Sequence, residues 1–88
     1  MNMVEIEDTI NELLAKKSYG FAEIFAIDDE RYRVEIISDK FKNKNEEKRK
    51  QEISEVLSEI SHHLVDLNIT LTPLTIKERM MQAMWREV

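Results

Sequence analysis

The chain has 88 residues, a net charge of −5, one glycine, one proline and no cysteine. This length supports one core, so we expect residues 1–88 to form a single domain. The composition excludes disulfides, metal sites built from cysteines of this chain and glycine-rich phosphate loops. No apolar run reaches the roughly 20 residues that cross a bilayer. The N-terminus is acidic where a signal peptide would be basic, so we expect a cytoplasmic protein with no membrane contact.

The first predicted element is a helix over residues 4–17. Its apolar positions follow a helical spacing at Ile6, Ile10, Leu13 and Leu14. Asn2 and Glu5 form a candidate N-terminal cap. Gly20 stands where a left-handed residue would end the helix.

A β-hairpin is predicted next, with strands over residues 21–27 and 31–38 and an acidic turn at residues 28–30. In the second strand Tyr32, Val34 and Ile36 share one face, which we expect to be buried. The other face carries Arg31, Arg33 and Glu35, and we expect it to be exposed.

A basic segment follows the hairpin. It contains Lys40, Lys42, Lys44, Lys48, Arg49 and Lys50 against Glu46 and Glu47, a local balance of +4, so the remainder of the chain carries −9. Such a segment is often a solvated loop and helix start. It also suits a contact for phosphate, nucleic acid or an acidic partner. The acidic remainder predicts that any non-specific binding of nucleic acid is weak and salt-dependent.

A second helix is predicted over residues 45–62, with Asn45 as its N-cap and apolar positions at Ile53, Val56, Leu57, Ile60 and Leu64. A third strand is predicted over residues 65–71, because Val65, Leu67, Ile69 and Leu71 alternate with polar residues.

The last predicted helix covers residues 75–87. Pro73 is placed near its start, and Thr75 with Glu78 forms a candidate capping box. The helix carries an apolar cluster of Met80, Met81, Met84 and Trp85. This cluster can close the core, or it can form an interface with a partner or a second copy, because methionine adapts to irregular surfaces.

The predicted order is therefore α-β-β-α-β-α. The hairpin is antiparallel, and the helical crossover between the second and third strands favours a parallel pair. We predict an α+β fold with a three-stranded mixed sheet and helices packed on one face.

No catalytic set is recognisable, so we predict no catalytic residue and no enzyme. The only histidines, His62 and His63, are adjacent on a helix and point about 100° apart, which disfavours chelation of one metal ion. A position near the negative end of a helix dipole is the simpler interpretation of both.

Residues 37–41, Ile-Ser-Asp-Lys-Phe, close the second strand with a pattern that resembles the Ser-Asp-x-Phe motif of the BolA family. The Lys48-Arg49-Lys50-Gln51 run follows at the interval of that family's basic helix motif. Residues 70–73 and 75–78 resemble the end of its third strand and the start of its last helix. The resemblance covers residues 4 to 78 and implies a fold related to type II KH domains. Asn43 replaces the usual glycine of the turn, where asparagine tolerates a left-handed conformation.

The resemblance implies a non-enzymatic regulatory module. The family binds monothiol glutaredoxins and has been linked to iron handling, DNA binding and transcription. Some members share a [2Fe–2S] cluster with the glutaredoxin, with one ligand in the hairpin loop and a histidine near the third strand. Here the hairpin loop has neither cysteine nor histidine, and only His63 stands near the other position. We predict that no cofactor is required.

The DNA-binding role of the family carries over to Lys40, Lys42, Lys44, Lys48, Arg49 and Lys50. No GxxG loop is present, so nucleotide clamping of the KH type is not expected. We predict a module that contacts nucleic acid or a glutaredoxin-type partner through residues 40–50. The alternative is a protein–protein or homodimer module that uses the last helix.

Overall fold

The computed structural model describes residues 2–65 and 67–86, the last two by their backbone alone. Its elements in chain order are α1 (Met3–Lys16), β1 (Phe21–Ala26), β2 (Arg31–Ile37), α2 (Glu46–Val56), α3 (Ser61–Leu64), β3 (Asn68–Leu74) and α4 (Ile76–Arg86), with 3-10 turns at Asp39–Phe41 and Ser58–Ile60. The predicted α+β class is confirmed. None of the described helices is long and apolar enough to cross a membrane.

Both ends of α1 are set by local hydrogen bonds. The Asn2 side chain accepts from the Glu5 N–H at 2.9 Å, which confirms the predicted cap. The left-handed residue after the helix is Ser18, with φ of 50°, and not Gly20. Gly20 is needed for a close approach, because a Cβ at that position would lie 2.1 Å from the Ile37 carbonyl oxygen.

The three strands form one mixed sheet in the order β1-β2-β3. β1 and β2 are antiparallel, with Ile24 opposite Val34. β2 and β3 are parallel, with Val34 opposite Leu71. The mixed sheet was predicted from the hairpin and the helical crossover.

The core lies between one face of this sheet and the helices α1 and α2. Val34 and Ile36 of β2 are at most 1% exposed, as predicted for this face. They belong to one apolar cluster with Ile6 and Ile10 of α1 and Ile53 of α2. Burial of each such side chain stabilises the fold by about 1.5–3 kcal/mol.

The second predicted helix is interrupted. α2 ends at Val56, and a 3-10 turn precedes the short α3. At this break the Ser58 hydroxyl donates to the Glu55 carbonyl, and the Ser61 hydroxyl donates to the Ser58 carbonyl. Serine side chains that bond to nearby carbonyls compete with regular helix geometry, which explains the break.

β3 lies three residues later than predicted, at Asn68–Leu74, and it includes Pro73. Proline is tolerated there because β3 is an edge strand with one side free of sheet hydrogen bonds. The capping box at the start of α4 is confirmed: the Thr75 N–H donates to Glu78 Oε1 at 2.8 Å, and the Glu78 N–H donates to Thr75 Oγ1 at 3.1 Å.

The opposite face of the sheet is partly covered by α4, although it was predicted to be exposed. Glu35 is 1% exposed. Arg79 of α4 forms ion pairs with Glu35 and with Glu23, which are direct neighbours across β2 and β1. α1 and α2 therefore pack on one face as predicted. α4 departs from that prediction, because its arginine bridges two carboxylates on the other face.

Candidate partner-binding surfaces

The basic segment begins in a turn that the core holds in place. Phe41 ends the 3-10 turn Asp39–Phe41 and is 0% exposed. Ser38 accepts from the Lys40 N–H at 3.1 Å, and its hydroxyl donates to the Tyr19 carbonyl. Asn43 adopts a φ of 63°, as expected from its place in the turn. The lysines on this turn are thus presented by a fixed backbone.

The predicted N-cap of α2 is also confirmed. Asn45 accepts from the Lys48 N–H at 2.9 Å, and Glu46 and Glu47 occupy the first turn. The carboxylates satisfy the positive end of the helix dipole. They also reduce the positive charge at this end of the basic segment.

Arg49 does not belong to the exposed part of the basic segment. Its side chain is 14% exposed and forms an ion pair with Glu78 at 2.8 Å. Its Nε donates to the Lys44 carbonyl at 2.8 Å, and its guanidinium lies 5.9 Å from the centre of the Phe41 ring. Arg49 therefore links α2, the preceding turn and the start of α4, and its role as a partner contact stays a prediction for a side chain that is mostly buried.

Lys44 takes part in a second internal contact. Its Nζ donates to Glu52 at 2.5 Å, and the Tyr19 hydroxyl donates to the same carboxylate at 3.3 Å. The hydrogen bond from Lys44 is the main cause of a pKa of Glu52 below its usual range. Burial, followed by the negative charge of Glu52, raises the pKa of Tyr19 to about 12.

The other lysines of the basic segment fall into two groups, one around the Tyr19–Glu52 pair and one beside β3. Lys40 lies 5.1 Å from the centre of the Tyr19 ring, and the charge of Lys48 acts on Glu52, so both stand around the Tyr19–Glu52 pair with Lys44. Lys42 is exposed in the same loop. We name Lys40, Lys42, Lys44 and Lys48 the lysine surface.

Lys50 is separate from this surface. It pairs with Glu46 at 3.3 Å and lines a groove beside Ile69 and Leu71 of β3. The structure therefore brings Lys40, Lys44 and Lys48 together, leaves Lys42 exposed in the loop between the first two, turns Arg49 inward and places Lys50 beside the third strand.

The methionines of α4 point away from the core. Met80 is 62% exposed, Met81 50% and Met84 69%, and Ile76 is also exposed. We name these four residues the methionine face. Glu78, Arg79, Gln82 and Ala83 are only partly exposed. The side chain of Trp85, predicted to join the cluster, lies outside the described residues.

The inward side of α4 is thus polar, and its main contact was not predicted. Besides its pairs with Arg79, Glu35 forms an ion pair with Arg33 at 3.5 Å, and the Arg33 guanidinium lies 5.2 Å from the centre of the Phe25 ring. The ion pair between Glu23 and Arg79 could not be predicted from the sequence, because the two residues are 56 positions apart and meet only through the fold.

His63 lies on α3 and is exposed, as is His62, and their ring centres are 3.9 Å apart. Among the described residues, no group of three or more histidines, cysteines, aspartates or glutamates could hold a metal ion. The hairpin turn is closed by its own contacts: Asp28 accepts from the backbone N–H groups of Glu30 and Arg31 and pairs with the Arg31 guanidinium. The residues of this chain therefore do not fit a two-ligand contribution to a shared [2Fe–2S] cluster.

The fold is similar to that of BolA1 from Arabidopsis thaliana, with a TM-score of 0.55 over 82% of this chain and 93% of that chain, at 23% sequence identity. No protein-family model matches the sequence, and no curated protein has a similar sequence. The chain thus has a BolA-like fold, and the similarity extends over nearly the whole of the plant protein.

Proposed function

We propose that the chain is a non-enzymatic, cytoplasmic regulatory module of the BolA type that binds nucleic acid through the lysine surface. The observation that carries the proposal is the grouping of Lys40, Lys44 and Lys48 around the Tyr19–Glu52 pair, with Lys42 exposed in the loop between Lys40 and Lys44. These lysines are presented by a backbone anchored at Phe41. Lysine side chains on an exposed surface attract the phosphates of nucleic acid, and such contacts carry no information about the base sequence.

The charge of the rest of the chain limits the affinity. Outside residues 40–50 the net charge is −9, so a polyanion is repelled wherever it extends beyond the lysine surface. We expect a weak, salt-sensitive interaction.

The test uses Lys42 and Lys48, the two members of the lysine surface whose side chains form no ion pair, hydrogen bond or cation–π contact within the described part of the chain. The double variant Lys42→Ala, Lys48→Ala is titrated with duplex DNA at several salt concentrations. If both lysines contact phosphates, the slope of log affinity against log salt falls by about 1.8. The matched control is Lys16→Ala with Lys77→Ala, which removes the same charge from exposed sites elsewhere. Equal slopes in the two double variants would refute the proposal.

A glutaredoxin-type protein is the alternative ligand for the same lysines, and the same variants apply to it. We propose that such binding needs no shared cluster, because this chain offers His63 alone. Co-expression with a monothiol glutaredoxin should give a complex without [2Fe–2S] absorption bands. Cluster bands that disappear in His63→Ala would refute this part of the proposal.

A second candidate function is protein–protein association through the methionine face. It is supported by the exposure of Met80 and Met84, on the same side of α4 one turn apart. Sedimentation of the intact chain tests it. If the face joins two copies, Met80→Glu with Met84→Glu gives a monomer, whereas Val4→Glu, at another exposed apolar residue, leaves the mass unchanged. If the wild-type chain sediments as a monomer, the homodimer is excluded.

A further inference from the structure

The two edge strands of the sheet, β1 and β3, differ in how their outward backbone groups are hydrogen-bonded. The edge of β1 is covered by side chains of α1: Asn11 exchanges two hydrogen bonds with the Ala22 backbone, at 2.7 and 2.9 Å, and Glu7 accepts from the Ile24 N–H at 3.0 Å. These contacts satisfy backbone groups that would otherwise pair with another strand.

The edge of β3 has less cover within the described part of the chain: the outward Ile69 N–H donates to the Leu67 carbonyl at 3.0 Å, and no helix side chain bonds to the backbone of β3. The Leu74 carbonyl accepts from the Ser38 N–H, so Leu74 faces β2. Because backbone groups alternate along a strand, the N–H and C=O of Leu71 point away from the sheet. No charged residue occurs in β3, although charges commonly protect exposed edges. Pro73 lacks an N–H and ends the stretch that can pair.

An apolar groove of about 310 Å³ runs beside this open edge. It lies between β3 and the segment formed by the end of α2 and by α3, and Ser54 and Ser61 stand on its rim. Its apolar lining consists of Leu57, Leu64, Val65, Leu67, Ile69 and Leu71. A strand added to β3 would place alternate side chains in this groove.

The charged side chains that line the continuations of the groove are both positive: Lys50 at one position and Arg31 at another. Each forms an exposed ion pair with a carboxylate outside the lining, Lys50 with Glu46 and Arg31 with Asp28. Such exposed pairs are weak, so both cations can turn to a ligand. No acidic residue is among the described residues that line the groove. In a chain of net charge −5, this favours a ligand with carboxylates beside its apolar residues.

We propose that the β3 edge and this groove bind an extended segment of a partner protein as a fourth strand. The segment has apolar residues at alternate positions and aspartate or glutamate at its flanks. Main-chain hydrogen bonds to Leu71 supply part of the affinity, and the groove selects the side chains.

Two other occupants fit the site less well. Single-stranded nucleic acid is usually held by aromatic side chains on which bases stack, and no aromatic residue is among the described residues of the lining. A second copy paired through β3 would bring its own Lys50 and Arg31 to a site already bordered by positive charge.

The experiment selects peptides from a random library displayed on phage, using the intact chain as the target. Ser54→Glu is the blocking variant, because Ser54 is exposed and lines both the groove and its continuation toward Lys50. Val65→Glu, at a residue 75% exposed on the same rim, is the second blocking variant. Ser58→Glu is the matched control on an exposed residue of the intervening turn.

The enriched peptides should alternate apolar residues and carry acidic flanks. Synthesised singly, they should bind the wild-type chain and Ser58→Glu equally and the two blocking variants about tenfold or more weakly, because an added carboxylate repels the acidic flanks. Bound peptide should also slow hydrogen exchange at the Leu71 amide.

Three results would overturn the inference. One is the absence of peptides that prefer the wild-type chain to Ser54→Glu. Another is oligothymidylate binding that Ser54→Glu abolishes. The third is self-association that Ser54→Glu reverses. None of these depends on Lys42 or Lys48, so the inference and the proposed function can fail separately.

Discussion

Arg49 shows how one side chain can have a structural role inside a segment selected for its charge. Its guanidinium contacts Glu78 of α4 and the Lys44 carbonyl, and it is mostly buried. Lys48, its neighbour, is exposed and makes no ion pair within the described part of the chain. Composition cannot separate the two, because the distinction depends on which side of α2 each residue occupies.

Alanine substitution should separate them. We expect Arg49→Ala to lower the free energy of unfolding by about 2 kcal/mol, since it removes a mostly buried side chain that bonds to both the Glu78 carboxylate and the Lys44 carbonyl. Lys48→Ala should change it by less than about 0.5 kcal/mol, as is usual at exposed sites. Urea unfolding of both variants provides the measurement, and equal stabilities would contradict the structural role of Arg49.

The ionisation of Glu78 makes the stability of the fold depend on pH in the acid range. Burial alone would raise the pKa of Glu78, but hydrogen bonds from Thr75 and the Arg49 guanidinium outweigh it, and the pKa lies below the ordinary 4.5. A lowered pKa in the folded state means that the ionised carboxylate stabilises the fold above about pH 4.5, and that this stabilisation is lost as the pH falls through the lowered pKa.

Glu78→Gln should therefore be less stable than the wild-type chain at pH 7, by about 1 kcal/mol for the weakened cap. It should also lose less stability than the wild-type chain on acidification below about pH 4.5. Unfolding curves across the acid range test this, with Glu47→Gln, an exposed carboxylate of α2, as the control. A wild-type pH profile in Glu78→Gln would contradict the assignment.

At the scale of elements, α4 is held by charge on its inner side and leaves its apolar side exposed. The helix and its capping box follow from spacing and from the Thr75–Glu78 pair. Its orientation does not, because the partners of Arg79 come from strands far away in sequence. The apolar cluster of this helix had two open interpretations, closure of the core or an interface. In the folded chain its methionines are exposed.

The Arg79 contacts give a test of this orientation. Arg79→Met leaves Glu23 and Glu35 as adjacent carboxylates, so we expect a loss of about 3 kcal/mol of stability. Adding Glu35→Met should restore a large part of it, because the buried charge is then absent. Arg31→Met, which breaks an exposed pair with Asp28, should cost less than about 1 kcal/mol. Additive losses in the double variant would contradict the ion network.

The other elements follow the sequence to differing degrees. Asn2 and Asn45 predict their helix starts, since a cap depends only on residues within one turn. The end of α2 was missed because the apolar spacing continues beyond Val56. The start of β3 was missed because it depends on the register of pairing with β2.

The whole molecule presents three different surfaces around one small core. The lysine surface follows from the sequence as a charged segment, although two of its six predicted members lie elsewhere. The methionine face belongs to α4, and the open edge belongs to β3. The edge could not be predicted, because it exists only once β1 is covered by Asn11 and Glu7 and β3 is not.

Backbone amide shifts on titration with duplex DNA, recorded by NMR on the intact chain at low salt, test the central claim most directly. The account predicts that the largest changes fall on Lys40, Lys42, Lys44 and Lys48, that β3 and α4 are unaffected, and that added salt reverses the changes. Changes centred on α4 or β3, or none at DNA concentrations that saturate weak non-specific binders, would contradict it.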